Sequence, residues 1–414
     1  MIPIAELGRR VKVAAARTAL APSQTKDNAL RRAADLLVRD CDQILSVNQV
    51  ECAAAKADKA SPTQLDRLTL TNARIESMAR SLRAVGALPD PVGEVADAWE
   101  RPNGIQIRRV RVPLGVVGVI YENRPNVTSD VAGLCVKAGN AAFLRGSSSA
   151  MQTNRMIVSA LREGFEDQGL PADAVVLVED TSRHAAVEFM QLRGIIDCLI
   201  PRGGKGLIEA ILEHATVPFI IDGDGNCHVY VDEYADLDLA VSIVVNSKTQ
   251  RPGVCNAAET LLVHEAVAET LLPLLHDSMP QVELRGDLRT VEILPGTTPA
   301  SDDDYVSEFL DLKLAVRVVP DIEAAIQHVN RFGTGHTEVI VTTNREAADR
   351  FAREVDAAVV GVNVSTRFTD GEQFGFGAEV GNSTQKLHCR GPMGLRELTT
   401  LKYVLEGTGQ IRTS

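Results

Sequence analysis

Apolar residues recur every three to four positions through "NALRRAADLLVRDCDQILSVNQVECAAAKA". They do so again after an S-P-T start in "SPTQLDRLTLTNARIESMARSLRAV". This spacing predicts one long helix and then a second, and makes residues 1–90 a helical region. From Ile105 to Val112 the period shortens, and "PNGIQIRRVRVP" alternates apolar with charged residues. That is the pattern of a half-exposed strand or ribbon. Its polar flanks suit an edge that pairs with another subunit equally well.

Past Val112 the strands become wholly apolar. "GVVGVIY", "NAAFLRG", "AVVLVED", "IDCLIPRG" and "VPFIID" alternate with the helical stretches "SDVAGLCVKAG", "AMQTNRMIVSALREGFEDQG", "SRHAAVEFMQLRG" and "KGLIEAILEHA". Strand and helix in strict alternation, with short glycine-containing links, predict a doubly wound parallel sheet. Strands without a polar face predict helices on both sides. A second alternating block begins near Val229. It contains the strands "CHVYVD", "AETLLVH", "KLAVRVV", "EVIVTT" and "AVVGVNV", and spans about 150 residues, a common domain size. After Thr366 the chain turns polar and glycine-rich. The fold class expected is therefore α/β, with two domains built on Rossmann-like parallel sheets.

Composition narrows the function. Lys plus Arg number 43 against 55 Asp plus Glu, a net charge of −12 with no basic stripe. This argues against nucleic acid and anionic membrane as partners, though not against local basic pockets for small anions. The start lacks the apolar run of a signal peptide, and no stretch is long and apolar enough to span a membrane. Seven scattered cysteines with no C-x-x-C fit a reducing cytoplasm better than a disulfide framework.

Most local motifs fail on spacing. "PRGGKGL" lacks the P-loop pattern, yet it sits between a strand and a helix. Backbone N–H groups of Gly203 and Gly204, with Arg202 and Lys205, could face a pyrophosphate there; a plain tight turn is the alternative. "GDGNCH" and "GFGAEVG" are incomplete dinucleotide fingerprints. In "LRGSSSA", Arg145 ends a strand and Ser147 opens a serine cluster. An arginine at such a strand end accommodates a ribose 2′-phosphate, which points to NADP(H). "HEAVA" fails the H-E-x-x-H pattern, and the Cys–His neighbours lack ligand spacing, so no metal site is expected.

The strongest chemistry lies in "SKTQRPGVCNAAET". Pro252 and Gly253 turn the chain just before Cys255, and Lys248 and Arg251 stand close by. A thiolate is the reactive form of cysteine, and neighbouring cations favour it. The same cations could hold an anionic substrate. The Asn256 N–H and the side-chain amide of Asn126, which follows strand "GVVGVIY", could stabilise an oxyanion formed on attack. The bland alternative is that Cys255 is apolar filler.

At these residues the chain resembles the aldehyde dehydrogenase superfamily. The likeness is carried by "PLGVVGVIYENRPNVTSDVAGLCVKAGNAAFLRG", "GNCHVYVD", "NSKTQRPGVCNAAETLLVH", "HVNRFGTGHTEVIVT" and "STRFTDGEQFGFGAEVGNSTQKLHCRGPMGLRELTTLKY". Within the superfamily it is narrowest to the members that reduce glutamyl 5-phosphate to glutamate 5-semialdehyde with NADPH, the second step of proline biosynthesis. The resemblance implies that Cys255 attacks the acyl phosphate and forms a thioester, which hydride from NADPH then reduces. It implies Asn126 as oxyanion donor, Arg145 at the adenosine ribose and Glu308 at the nicotinamide ribose. Lys248, Arg251 and Arg367 are the candidates for the substrate's phosphate or carboxylate.

It also implies a cofactor-binding domain from 1–95 and 113–228, and a catalytic domain over 229–384. Oligomerisation strands follow at 96–112 and 385–414, so a homo-oligomer is expected. Glutamate 5-kinase, which makes the labile substrate, becomes a candidate transient partner. Two enzyme alternatives remain. An oxidising aldehyde dehydrogenase of the same fold would use Asp222 to activate water. A cysteine hydrolase would need a base from His228, His336 or His388. A non-enzymatic scaffold for the kinase is the fourth reading.

Overall fold

The computed structural model describes residues 2–221 and 223–412, with Thr63 and Lys205 entering by their backbone alone. The chain forms two compact units. The first holds the residues up to Ile221, Phe376–Gly381 and the segment from Met393 onward. The second runs from there to Gly375 and includes Asn382–Pro392.

The first unit opens with helices Ile4–Thr18, Ser23–Arg39, Cys41–Ala57, Pro62–Leu68 and Asn72–Ala87. The periodic run expected to be one helix is thus two. It breaks at Asp40, whose ψ of 9° leaves the helical well and lets each half pack on its own partners. The sheet orders its strands Val175–Leu177, Ala141–Arg145, Val116–Tyr121, Cys198–Arg202, all parallel. The first of these strands in the chain, Val116–Tyr121, lies inside the sheet, so the strand order reverses between it and Cys198–Arg202. The carboxyl ends of those two strands therefore flank a topological switch point, where open α/β sheets bind ligands. "VPFIID" makes only an isolated bridge, Leu199 to Phe219. Its Pro218 accepts from the Leu199 N–H but has none to donate. A separate antiparallel sheet joins Val95–Glu100, Gln106–Pro113 and Thr399–Glu406, with Trp99 edge-on to Tyr403 at 6.3 Å.

The second unit is built on seven parallel strands in the order Thr298–Pro299, Glu283–Gly286, Lys313–Val319, Ala258–His264, Cys227–Val231, Thr337–Val341, Val359–Val362. Val229, Leu261, Val263, Val316, Val339 and Val341 fill one face. Tyr230, Leu262 and Ile340 face the other, against Phe351. This explains the missing polar alternation, because both faces are buried. The edge strand Thr298–Pro299 and its neighbour Glu283–Gly286 escaped the sequence reading, being short and polar.

The unit boundaries differ from those expected. Cys227–Val231 is a central strand, bonded to Ala258–His264 and Thr337–Val341, so the second unit begins before residue 229. Residues 385–392 also belong to it. Gly391–Pro392 pairs with Asn382–Ser383, and Lys386 and Arg390 both bind Asp356. Among the described residues no helix is long and apolar enough to cross a membrane.

Candidate active site

Cys255 sits in the turn between helix Leu237–Thr249 and strand Ala258–His264 of the second unit, and is half-buried. The helix ends at Thr249, and the breakers Pro252 and Gly253 keep it from continuing toward Cys255. The cysteine's backbone is pinned from below. Its carbonyl accepts from the Sγ–H of Cys227 at 3.2 Å. Gly225 packs so tightly on it that a Cβ there would lie 1.5 Å from the Cys255 oxygen. The Gly225 N–H donates in turn to Oε1 of Glu308 at 2.9 Å. Next along the chain, Asn256 is buried and its Nδ2 donates to the Thr369 carbonyl at 2.8 Å.

Three cations were expected here, and the structure separates them. Lys248 is fully buried, with its ammonium 2.6 Å from the equally buried Glu259. Burial lowers Lys248 and raises Glu259, and their mutual attraction opposes it. The other Glu259 oxygen accepts from the Leu310 N–H at 3.1 Å. Lys248 is thus part of the core beneath the turn, a correction to its expected role as an anion ligand. Its helical position follows from the sequence; its inward direction does not. Arg251 is exposed, and Arg367 is partly buried with its Nε on Gln250 at 2.8 Å. Burial lowers the Arg367 guanidinium and so does Arg251, while Asp370 and Cys255 favour its charge. Two like charges therefore converge beside Cys255, an arrangement that suits a polyanion.

A polar layer under Cys255 had no signal in the sequence beyond "GTGHTE". His336 is fully buried, and burial lowers it to about 4. Asn382 Nδ2 donates to its Nε2 at 2.8 Å, so the proton is on Nδ1, which faces Thr337 Oγ1 at 2.8 Å. Thr337 passes a hydrogen bond to Thr369 at 2.9 Å. The Cys227 sulfur lies 3.7 Å from the same Nδ1. His228 is equally buried, with Nδ1 on Glu338 at 2.9 Å. Both rings are taken up in the core and so do not serve as bases for a thiol hydrolase. His388 is exposed, in a turn with φ of 68°.

The first unit carries the remaining candidates, gathered at the carboxyl ends of its strands. Arg145 donates from one nitrogen to the Thr181 and Ser182 carbonyls at 2.7 and 3.0 Å, and burial lowers it. It is thereby held rigid at its strand end. Ser147 donates to Asn123 Oδ1 at 2.9 Å, and Ser149 contacts the same oxygen. Asn123, which the sequence reading passed over, ties the loop after Val116–Tyr121 to the serine cluster. Across the switch point, Arg202 ends its strand, and a Cβ on Gly203 would come within 2.8 Å of the side-chain tips of Glu122 and Leu207. The Gly204 N–H donates to the Glu122 carboxylate at 3.2 Å. That helix start already holds an anion, which the phosphate reading did not foresee. The Lys205 side chain and Asp222 lie outside the described residues. Asn126 is exposed in the first turn of helix Pro125–Lys137, with Nδ2 donating to Asp130 at 3.0 Å. A rigid cation, a glycine-containing strand-helix turn and a switch point between them suit a nicotinamide dinucleotide. Among the described residues no group of three or more His, Cys, Asp or Glu could hold a metal ion.

The model of the family described as "Aldehyde dehydrogenase family" matches residues 8–307 and 314–404. A gamma-glutamyl phosphate reductase from Heliobacterium modesticaldum is 52% identical over 417 residues, covering 100% of both chains. One from Clostridium beijerinckii is 52% identical over 407 residues, covering 98% of each. The crystal structure of gamma-glutamyl phosphate reductase from Thermotoga maritima superposes with a TM-score of 0.96 at 46% identity, covering 98% of this chain and 99% of that one. The chain belongs to the aldehyde dehydrogenase family, and its full-length likeness within that family is to the gamma-glutamyl phosphate reductases.

Proposed function

We propose that this protein reduces L-glutamyl 5-phosphate to L-glutamate 5-semialdehyde and phosphate, the second step of proline biosynthesis. The observation that carries the reading is the pair Arg251 and Arg367 beside a half-buried Cys255. A neutral aldehyde needs no such pair; a phosphate leaving group and an amino-acid carboxylate do. The Cys255 thiolate attacks the acyl carbon, and the C–O bond to phosphate breaks, leaving a thioester. One difficult displacement becomes two easier steps. Asn126 donates to the oxygen that becomes negative in each. Collapse of the reduced adduct breaks the C–S bond and returns the thiolate.

Family membership supports a nicotinamide cofactor, and Arg145 supports its 2′-phosphorylated form. NADPH, when bound, supplies the hydride. Arg145 would hold its adenosine ribose, with Ser147 beside it. Arg202, Gly203, Gly204 and Lys205 would take the pyrophosphate in place of the Glu122 carboxylate. Glu308 would bind the nicotinamide ribose while fixing Gly225. The antiparallel sheet, whose Tyr403 and Leu405 are exposed, is the surface we assign to assembly of a homo-oligomer. A cytoplasmic location and transient contact with glutamate 5-kinase follow from the same reading.

The test runs the reaction backward, following reduction of NADP+ by glutamate 5-semialdehyde in wild type and Cys255→Ser. Turnover that requires both phosphate and Cys255 is expected. Equal turnover without phosphate would make water the acceptor and the protein an oxidising dehydrogenase.

A further inference from the structure

Asn126 is the second residue of helix Pro125–Lys137 and is exposed, so by itself its amide has several rotamers open to it. One turn later, Asp130 stands on the same face. Its Oδ2 accepts from Asn126 Nδ2 at 3.0 Å. The Ser129 hydroxyl donates to the Asn126 carbonyl at 3.0 Å. Asp130 is itself partly buried, and the charged group that faces it from a neighbouring element is Arg202, at the end of strand Cys198–Arg202. This is a contact between a charged acceptor and an amide one turn apart on one helix face.

The chemistry of the contact decides which way the amide points. A carboxylate only accepts, so it can face only the N–H side of Asn126. One of the two amide protons is thereby committed to Asp130. The other is left on the same nitrogen, at a fixed angle, to meet an oxyanion. A protonated Asp130 reverses this logic. Its O–H can donate to Asn126 Oδ1, and the flipped amide then presents its carbonyl oxygen where a donor is needed. Burial pushes the Asp130 carboxyl up to about 6, against Asn126, Arg202 and Ser129, which favour its charge. The reversal then falls within the range of an ordinary pH profile.

We infer that Asp130 is a positioning residue for the reaction, its carboxylate fixing the Asn126 amide with one N–H aimed at the developing oxyanion. The inference rests on the reading of Asn126 as the oxyanion donor. It adds a carboxylate to the site that never touches substrate, and whose loss alters kcat while leaving substrate and cofactor binding alone.

The experiment measures kcat and KM from pH 5 to 9 by the phosphate-dependent reduction of NADP+. The enzymes are wild type, Asp130→Asn, Asp130→Ala, Asn126→Ala and the double variant Asn126→Ala/Asp130→Ala, each checked for its fold by thermal melting. Asn126→Ala is expected to lower kcat by about 100-fold, the loss of one oxyanion donor. Asp130→Ala is expected to lower it by about 10-fold at unchanged KM, as a misaimed donor would. The double variant should be no slower than Asn126→Ala alone, since Asp130 acts only through that amide. An acid limb near pH 6 in wild type should disappear in Asp130→Asn, which cannot titrate and is close to isosteric. Losses that multiply in the double variant, or an acid limb that persists in Asp130→Asn, would overturn the inference while leaving Asn126 in its role. Wild-type kcat in Asn126→Ala would instead remove the oxyanion reading itself, and the inference with it.

Discussion

The contact most exposed to a single methyl group is the one beneath Cys255. In Gly225→Ala the new Cβ would stand 1.5 Å from the Cys255 oxygen, 2.3 Å from its carbonyl carbon and 2.7 Å from its Cα. These are backbone atoms, which cannot rotate aside as a side chain tip would. Ordinary nonbonded contact begins near 3.5 Å, so one chain must retreat by about 2 Å. A displacement of about 1 Å in a reacting group can already cost about 100-fold in rate. We therefore expect kcat to fall by at least about 100-fold, with slower alkylation of Cys255 by iodoacetamide, followed by peptide mass spectrometry. Overpacking of this kind also costs about 1–3 kcal/mol, a drop in Tm of about 3–10 °C for a domain of this size. Gly253→Ala is the matched control. It lies in the same turn, but its Cβ would meet only the Leu310 carbonyl at 3.8 Å, so rate and Tm should stay near wild type. Wild-type kcat and alkylation in Gly225→Ala would show that the turn is not held by this packing.

Two other perturbations test the layer below. Lys248→Met strands the buried Glu259 charge and should cost about 3–5 kcal/mol in urea unfolding. Lys248→Met combined with Glu259→Gln should recover most of that stability and keep KM for phosphate near wild type; a tenfold rise in KM would return Lys248 to the substrate. His336 is buried neutral, with its pKa depressed from 6.5 to about 4. Its contribution to stability is complete above pH 6.5 and is lost as the pH falls from there through 4. The difference is worth about 3 kcal/mol. Unfolding free energies between pH 7.5 and 4 should fall more steeply in wild type than in His336→Asn, and identical slopes would refute the assignment.

Much of this was legible in the chain by itself. Unbroken apolar strands between amphipathic helices specify two-sided parallel sheets, because only burial on both faces tolerates them. A lone cysteine after Pro-Gly, with cations near it, identified the turn that holds Cys255, since breakers and charges act locally. The sequence could not say which cation faces which way. Lys248 and Arg251 are three residues apart, yet one is sealed against Glu259 and the other exposed, a choice made by strand Ala258–His264 packing beneath the helix. Nor could it reveal Cys227, His336, Thr369 and Asn382 as one layer, because contacts between residues up to 109 positions apart leave no local pattern. The same holds for Glu122 at the Gly204 N–H, 82 positions away. Local chemistry pointed to Cys255 as the candidate nucleophile; what fixes it in place is long-range packing, which only the tertiary structure decides.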